Sequence, residues 1–314
     1  MKPTILTITL NPAIDKTVFV PHFKIGKDFR EKKLYLSAGG KGINVSRVLK
    51  RLKETSIASG FLGGGDGTYM QKQLGKERIK HDFCEIKNNT RTSLTILDPM
   101  QNTITRVLER GPQITKKELN NFRKKFSSLL RYCRYVIFSG RNIPGAPDSF
   151  YGELIALAKK KNIFTVLDTS GRALALALKE KPFMIKPNLK EIEQIAGKRL
   201  SSFSQMKQAV YRLKNCGIQI IALTLGSRGT IVFDGKEMIV AAPPKVERRS
   251  PVGCGDAFIG GFVAAHAHKE NLKECVRIAV ACGAANALSV NPGFINLKDI
   301  KTLYRQVTLR STKF

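Results

Sequence analysis

The feature that most restricts how this 314-residue chain can fold is a regular alternation of helix-forming and strand-forming segments. From about residue 115, a charged helix over about 115–130 leads into YVIFSG, and a helix over about 148–161 leads into FTVLDTSG. ALALALKE then leads into PFMIKPN, and a helix over about 203–215 into QIIALTLG. Strands that alternate with helices build a parallel sheet covered by helices on both faces. Such sheets bind ligands at the C-terminal ends of their strands. Polar residues punctuate those ends here: Asn11 and Asp15, Ser139-Gly140, Asp168, Lys186 to Asn188, and Thr224 to Gly226. GTIVFDG and KEMIVAAP read as an antiparallel pair after the alternation ends.

The N-terminal third departs from this rhythm. TILTITL is a buried first strand ended by Asn11-Pro12, and a helix lies around Tyr69 to Leu74. The stretch over about 16–36 has mixed alternation broken by Pro21 and Gly26, and that over about 90–108 reads as a hairpin turning near Pro99 to Asn102. Together they form a small sheet outside the main core. A hydrophobic content of 42% supports one large domain or a domain with a small appendage, here a single domain over 1–314.

Two glycine turns open helices. In RSPVGCGDAFIGGFV (Arg249 to Val263), Gly253 and Gly255 flank Cys254, and Asp256 follows at once. Glycines let the backbone turn tightly, and the first N–H groups of a helix have no intrahelical partner. A site for a phosphate anion results. A carboxylate at its mouth is unfavourable unless it takes a proton from an attacking hydroxyl; the other reading of Asp256 is a helix cap, and this stretch alone leaves both open. In SAGGKGINVSRVLKRLKE, Gly39, Gly40 and Gly42 surround Lys41, with Asn44 in the first helical turn. The lysine makes this an anion site too, although the Walker A spacing is absent.

Six cysteines without CxxC pairs and four histidines without zinc spacing point to thiols in a reducing cytoplasm. No apolar run is long enough to span a bilayer, and the first residues lack a signal peptide's apolar core. The net charge of +30 admits a nucleic-acid-binding or regulatory protein as a rival reading. The charge is spread in short pieces such as KRLKE, RKKF and AKKKN, with no basic tail, which favours a solvated surface that attracts anionic metabolites.

Seven pieces in order resemble the PfkB group of ribokinase-like sugar kinases across nearly the whole chain. They are TLNPAID, AGGKGINVSRVLKRL, the strand ending SG, LDTSGRAL, IKPNLKEIEQIAG, LTLGSRG and VGCGDAFIGG. GGKGIN with TLNPAID looks most like the branch acting on phosphorylated ketohexoses: 1-phosphofructokinase, tagatose-6-phosphate kinase and minor-type 6-phosphofructokinase. The resemblance implies a three-layer α/β/α sandwich with a central, mostly parallel sheet and a small β lid from about 16–36 and 90–108. It implies ATP and Mg2+ as cofactors, a sugar phosphate as substrate, and a homodimer through the lid. Fructose 1-phosphate is the expected substrate, with tagatose 6-phosphate and fructose 6-phosphate as alternatives.

The family's roles carry over residue by residue. Asp256 would be the general base, with the N–H groups of Gly253, Cys254 and Gly255 cradling the phosphoryl group. Asp15, Gly39, Gly40 and Asn44 would line the sugar. Lys41 and Arg91, then Lys27 and Arg106, would hold its phosphate. Lys186 would lie near the nucleotide phosphates, Thr224, Gly226 and Gly229 along the nucleotide, and Asn286 near the adenine. Asn188 and Glu191, three apart at a helix start, resemble the family's magnesium-linked pair and would act through water; the same two residues form a capping box, and both readings can hold at once. Three departures stand out: Arg141 in SGRNIP where the family has SGSLP, Pro251 before Val252, and Cys254 between the glycines. Arg141 would bind the substrate phosphate or crowd the sugar. Arg141 and Pro251 together suggest a third reading, a degenerate sugar-binding paralogue. Cys254, at a helix N-terminus, is expected to have a lowered pKa and to react readily with thiol reagents.

Overall fold

The computed structural model describes residues 4–31 and 33–313. Its strands are β1 (Thr4–Thr9), β2 (Ala13–Phe19), β3 (Lys33–Gly39), β4 (Ser56–Gly63), β5 (Cys84–Ile86), β6 (Arg91–Asp98), β7 (Thr103–Leu108), β8 (Cys133–Ser139), β9 (Phe164–Asp168), β10 (Met184–Ile185), β11 (Ile220–Thr224), β12 (Thr230–Phe233), β13 (Glu237–Ala242) and β14 (Thr308–Lys313). Its helices are α1 (Lys41–Arg51), α2 (Gly64–Lys76), α3 (Lys116–Leu129), α4 (Phe150–Lys159), α5 (Gly171–Ala177), α6 (Leu189–Ala196), α7 (Phe203–Asn215), α8 (Cys254–Ala267), α9 (Leu272–Ala287) and α10 (Leu297–Gln306).

Ten strands form one sheet in the order β14-β13-β12-β11-β10-β9-β8-β1-β4-β5. From β5 to β11 the pairings are parallel, and β12 to β14 add an antiparallel edge. Side chains alternate across a strand, and here the alternation divides the interior. Ile5, Tyr135, Ile137 and Val166 pack with α1, α8 and α9 on one face. Leu6, Ile8, Val136, Phe138 and Leu167 pack with α3, α4 and α7 on the other, where Phe122 stacks near Phe126 and meets Phe150 at a tilt. The three expected layers result.

Four strands form a second sheet in the order β3-β2-β6-β7. Register places Asp15, Ser93, Ser37 and Leu108 on one row. The adjacent row, Lys16 with Leu36, Leu94 and Val107, faces the opposite way. The outer row stays half exposed: Leu36 is 45% and Val107 is 56% accessible.

Some boundaries differ from the sequence expectation. The first two strands of the second sheet, β2 and β3, run from Ala13 to Gly39 rather than over 16–36, because Pro12 ends the first strand's direction and the chain re-enters a ladder at once. α2 starts at Gly64, not near Tyr69: Gly67 lets the helix pack against the β4 backbone, since a Cβ there would lie 3.1 Å from the Leu62 carbonyl carbon. β10 is only two residues long, and Pro187, which has no N–H, follows within two positions. β14 was not anticipated at all. No helix is long and apolar enough to cross a membrane among the described residues.

Candidate active site

The C-terminal ends of β1, β8, β9, β10 and β11 open into a cavity of about 1540 Å³, covered on one side by the second sheet. Asp256 stands in the first turn of α8. Gly253 is the N-cap, with φ of 85°, and its side-chain-free backbone is required there because a Cβ would fall 2.7 Å from the Pro292 Cβ. Asp256 makes no capping bond; its Oδ2 accepts from Asn44 Nδ2 at 2.8 Å. The capping bond that the sequence allowed is therefore absent among the described residues. Burial pushes the Asp256 carboxyl up to about 6, with Asp168 adding to the rise and Lys41, Asn44 and Lys186 opposing it. A carboxylate of this kind is poised to accept a proton near neutral pH.

Asp168, at the end of β9, is the hub of the charged cluster. Lys41 Nζ lies 3.1 Å from its Oδ2 and Lys186 Nζ 3.2 Å from its Oδ1. Burial works to raise the Asp168 carboxyl, but Lys186 and Lys41 together hold it below its ordinary value. In return Asp168 holds the Lys41 ammonium firmly protonated against burial. A Cβ added to Gly255 would lie 3.2 Å from Lys186 Nζ, so that ammonium stands directly over the glycine turn. The helix N-terminus and the lysine converge on one anion position. Nearby, Thr9 Oγ1, Asn11 Oδ1, Ser139 Oγ and Thr169 Oγ1 are buried without a hydrogen-bond partner among the described residues. Such groups cost about 1–3 kcal/mol each unless something satisfies them; all four sit at or just beyond the C-terminal ends of β1, β8 and β9, and Thr9 and Asn11 line the cavity.

At the other end, Asp15 reaches the cavity from β2. Gly39 permits it, since a Cβ there would fall 2.2 Å from Asp15 Oδ2. Gly40, with φ of 133°, caps α1 and lies against Thr9. Burial raises the Asp15 carboxyl, opposed by Arg106, Arg47 and Arg91.

The structure redistributes the cations expected to hold a substrate phosphate. Lys41 is committed to Asp168. Arg91 spends its donors on the Asn11 carbonyl, at 3.1 and 3.3 Å, and on the Glu109 carbonyl at 2.9 Å. Lys27 is exposed in the loop between β2 and β3 and does not line the cavity. Arg106 and Arg141 line it, and neither side chain forms a hydrogen bond or ion pair among the described residues. Arg110, which sequence reasoning missed, lines it as well.

The nucleotide-side expectations also divide. Lys186, Asn188, Thr224, Gly226 and Gly229 line the cavity. Glu191 does not; it is locked with Asn188 in a reciprocal capping box, both bonds 2.9 Å long. Asn286 is fully buried behind the cavity wall, donating to Val252 O at 2.8 Å and accepting from Gly293 N at 2.7 Å. It braces the glycine turn through two backbone groups and does not line this cavity. Cys254 departs from expectation as well: burial raises its thiol pKa, outweighing the Asn286 contact and the Arg248 charge, where a helix N-terminus alone would lower it.

The sequence model for "pfkB family carbohydrate kinase" matches residues 9–299. Tagatose-6-phosphate kinase of Staphylococcus epidermidis is 34% identical over 306 residues, covering 96% of this chain and 98% of that protein. Among solved structures, phosphofructokinase-2 from Escherichia coli in complex with fructose-6-phosphate superimposes with a TM-score of 0.89 at 26% identity, over 97% of this chain and 99% of that one. A protein described as a possible 1-phosphofructokinase from Thermotoga maritima gives 0.89 at 27% identity, over 99% and 100%.

Proposed function

The chain belongs to the pfkB family of carbohydrate kinases, and from that membership we propose that it transfers the terminal phosphoryl group of ATP to the free primary hydroxyl of a ketohexose phosphate. The observation that carries this reading is the meeting of Asp256, the α8 N-terminus and Lys186 at one end of a cavity whose other end holds Asp15 and unpaired arginines.

In this reading Asp256 takes the proton of the sugar hydroxyl as the oxygen attacks phosphorus. Backbone N–H groups of Gly253, Cys254 and Gly255 and the Lys186 ammonium face the transferring group, where negative charge is concentrated. Asp168 keeps Lys41 and Lys186 in place and charged. Asp15 and Asn44 hold sugar hydroxyls; Arg106 and Arg141 hold the phosphate the sugar already carries. Thr224, Gly226 and Gly229 run along the nucleotide. The second sheet closes over the sugar as a lid and excludes water, which protects ATP from hydrolysis.

Magnesium fits the donor set. Asn188 lines the cavity, and Glu191 keeps one oxygen without a hydrogen-bond partner among the described residues but does not line it, so the pair would meet a hydrated ion only through its waters. When bound, the ion would neutralise phosphate charge.

Two substrates have specific support. The motif grouping favours fructose 1-phosphate going to fructose 1,6-bisphosphate; the whole-chain identity to a tagatose-6-phosphate kinase favours tagatose 6-phosphate. The test is ADP release with MgATP and, in parallel, fructose 1-phosphate, tagatose 6-phosphate and fructose 6-phosphate. One sugar with a dominant kcat/KM is expected. Inactivity on all three would overturn the ketohexose phosphate reading.

A further inference from the structure

Arg47 lies one turn beyond Asn44 on α1 and is only 5% exposed. Its guanidinium makes four hydrogen bonds. Nε and Nη2 grip the two Glu77 oxygens at 2.6 and 2.9 Å. Nη2 also donates to the Ala38 carbonyl at 2.5 Å, in the last residues of β3. Nη1 donates to Asn44 Oδ1 at 3.0 Å. The group sits over the Phe294 ring, 4.9 Å from its centroid. Next to that ring, Gly293 bonds Asn286, which in turn holds Val252 in the glycine turn.

A side-chain amide can sit either way round, and its neighbours decide which. Guanidinium has donors and no acceptor, so Arg47 forces the Asn44 oxygen toward itself. The amide NH2 is then turned to Asp256 Oδ2, 2.8 Å away. Pairing with Glu77 alone would satisfy the Arg47 charge; the bond to Asn44 adds nothing to that pair and points at the cavity.

We propose that Arg47 is a positioning residue for the phosphoryl transfer: it fixes the Asn44 amide so that an N–H stays on the Asp256 carboxylate, and through the Ala38 carbonyl it ties that arrangement to the strand carrying the second sheet. This rests on the reading of Asp256 as the base. Other charges facing Asp256 are Lys41 from α1, Asp168 from the end of β9 and Lys186 from the segment after β10. They remain when Arg47 is changed. The Asn44 bond favours the ionised carboxylate; with the amide free to turn its oxygen inward, the carboxylate holds its proton to higher pH.

Two variants test this. Arg47→Met combined with Glu77→Gln removes the guanidinium without leaving an unpaired, half-buried carboxylate. Arg47→Lys keeps the positive charge but cannot bridge Asn44, Ala38 and Glu77 together, and it serves if the double variant fails to fold. The measurement is the pH profile of kcat at saturating MgATP and sugar phosphate. The acid limb should move up by about 1 pH unit, the size expected for a lost bond to a charged group. For a base titrating near pH 6, kcat should then fall about fivefold at pH 6 and recover above about pH 8, with KM changed less than about twofold. A loss equal at every pH, or a raised KM with the limb in place, overturns the proposal. Asp256→Asn separates the two levels. If it retains turnover, the base and this proposal fall together; if it is inactive while the limb in the Arg47 variants is unmoved, only this proposal falls.

Discussion

Burial lifts the Asp256 carboxyl from an ordinary value of 3.8 to about 6. Between those values the folded chain binds a proton that the unfolded chain has released, so stability falls as pH rises from about 4 to about 6. The cost at pH 7 is on the order of 3 kcal/mol. Asp256→Asn is therefore expected to stabilise the protein by up to about 3 kcal/mol at pH 7 and not at pH 4, while lowering kcat by about 10³-fold or more. Denaturant unfolding at the two pH values, alongside turnover, checks both halves; equal stability of variant and wild type at pH 7 would contradict the buried-carboxylate account. Wild-type kcat should decline below about pH 6, as the base is protonated. Asp256 was legible in the sequence because its neighbours, Gly253 and Gly255, advertise the turn that makes a carboxylate unusual there. Asp168 was legible only as a polar strand end. Its importance lies in Lys41, 127 residues away in sequence, and Lys186, and no local pattern announces such a pairing. Cys254 was misread because helix position alone lowers a thiol pKa, while its burial, invisible in sequence, raises it further.

At the scale of elements, α6 sets a structural role beside a proposed ligand-binding one, and only Asn188 of its capping pair meets the cavity. Asn188 caps the helix and also lines the cavity. Thr115 caps α3 through the same kind of box with Glu118 and lies outside the cavity. Either cap replaced by Ala should cost about 1 kcal/mol. Only Asn188→Ala should also raise the KM for MgATP, by about tenfold if one charge-assisted contact is lost; Thr115→Ala should leave the kinetics unchanged. Matched losses of stability with unchanged KM in both would reduce Asn188 to a cap. The Asn188–Glu191 box was readable from spacing, and the structure adds the Thr115–Glu118 box with the same spacing. The alternation from residue 115 was readable too, because each helix there is amphipathic and each strand apolar. β14 was not, since an edge strand of Thr, Leu, Arg and Ser is held by its ladder with β13 rather than by a hydrophobic pattern.

For the molecule as a whole, the outer row of the second sheet leaves Leu36, Val107 and Leu34 between 43% and 56% exposed. Apolar residues aligned by register on one sheet face suit an interface between copies, as the family resemblance implies for the lid. Replacing Leu36 and Val107 by Glu together should shift the protein toward monomer in sedimentation velocity, with a raised KM for the sugar. A wild type that is already monomeric at micromolar concentration would remove this expectation. The sequence by itself determined the layered α/β architecture, the two glycine turns and the carboxylate beside one of them, because periodicity and local backbone demands are written in neighbouring residues. Only the tertiary structure decided which cations are spent and which remain available. Lys41 and Arg91 are tied to Asp168 and to backbone carbonyls, while Arg106, Arg110 and Arg141 face the cavity. That division depends on which strand ends meet across the cavity, and long-range charge pairing in a buried site is a property of the packed chain rather than of any segment in it.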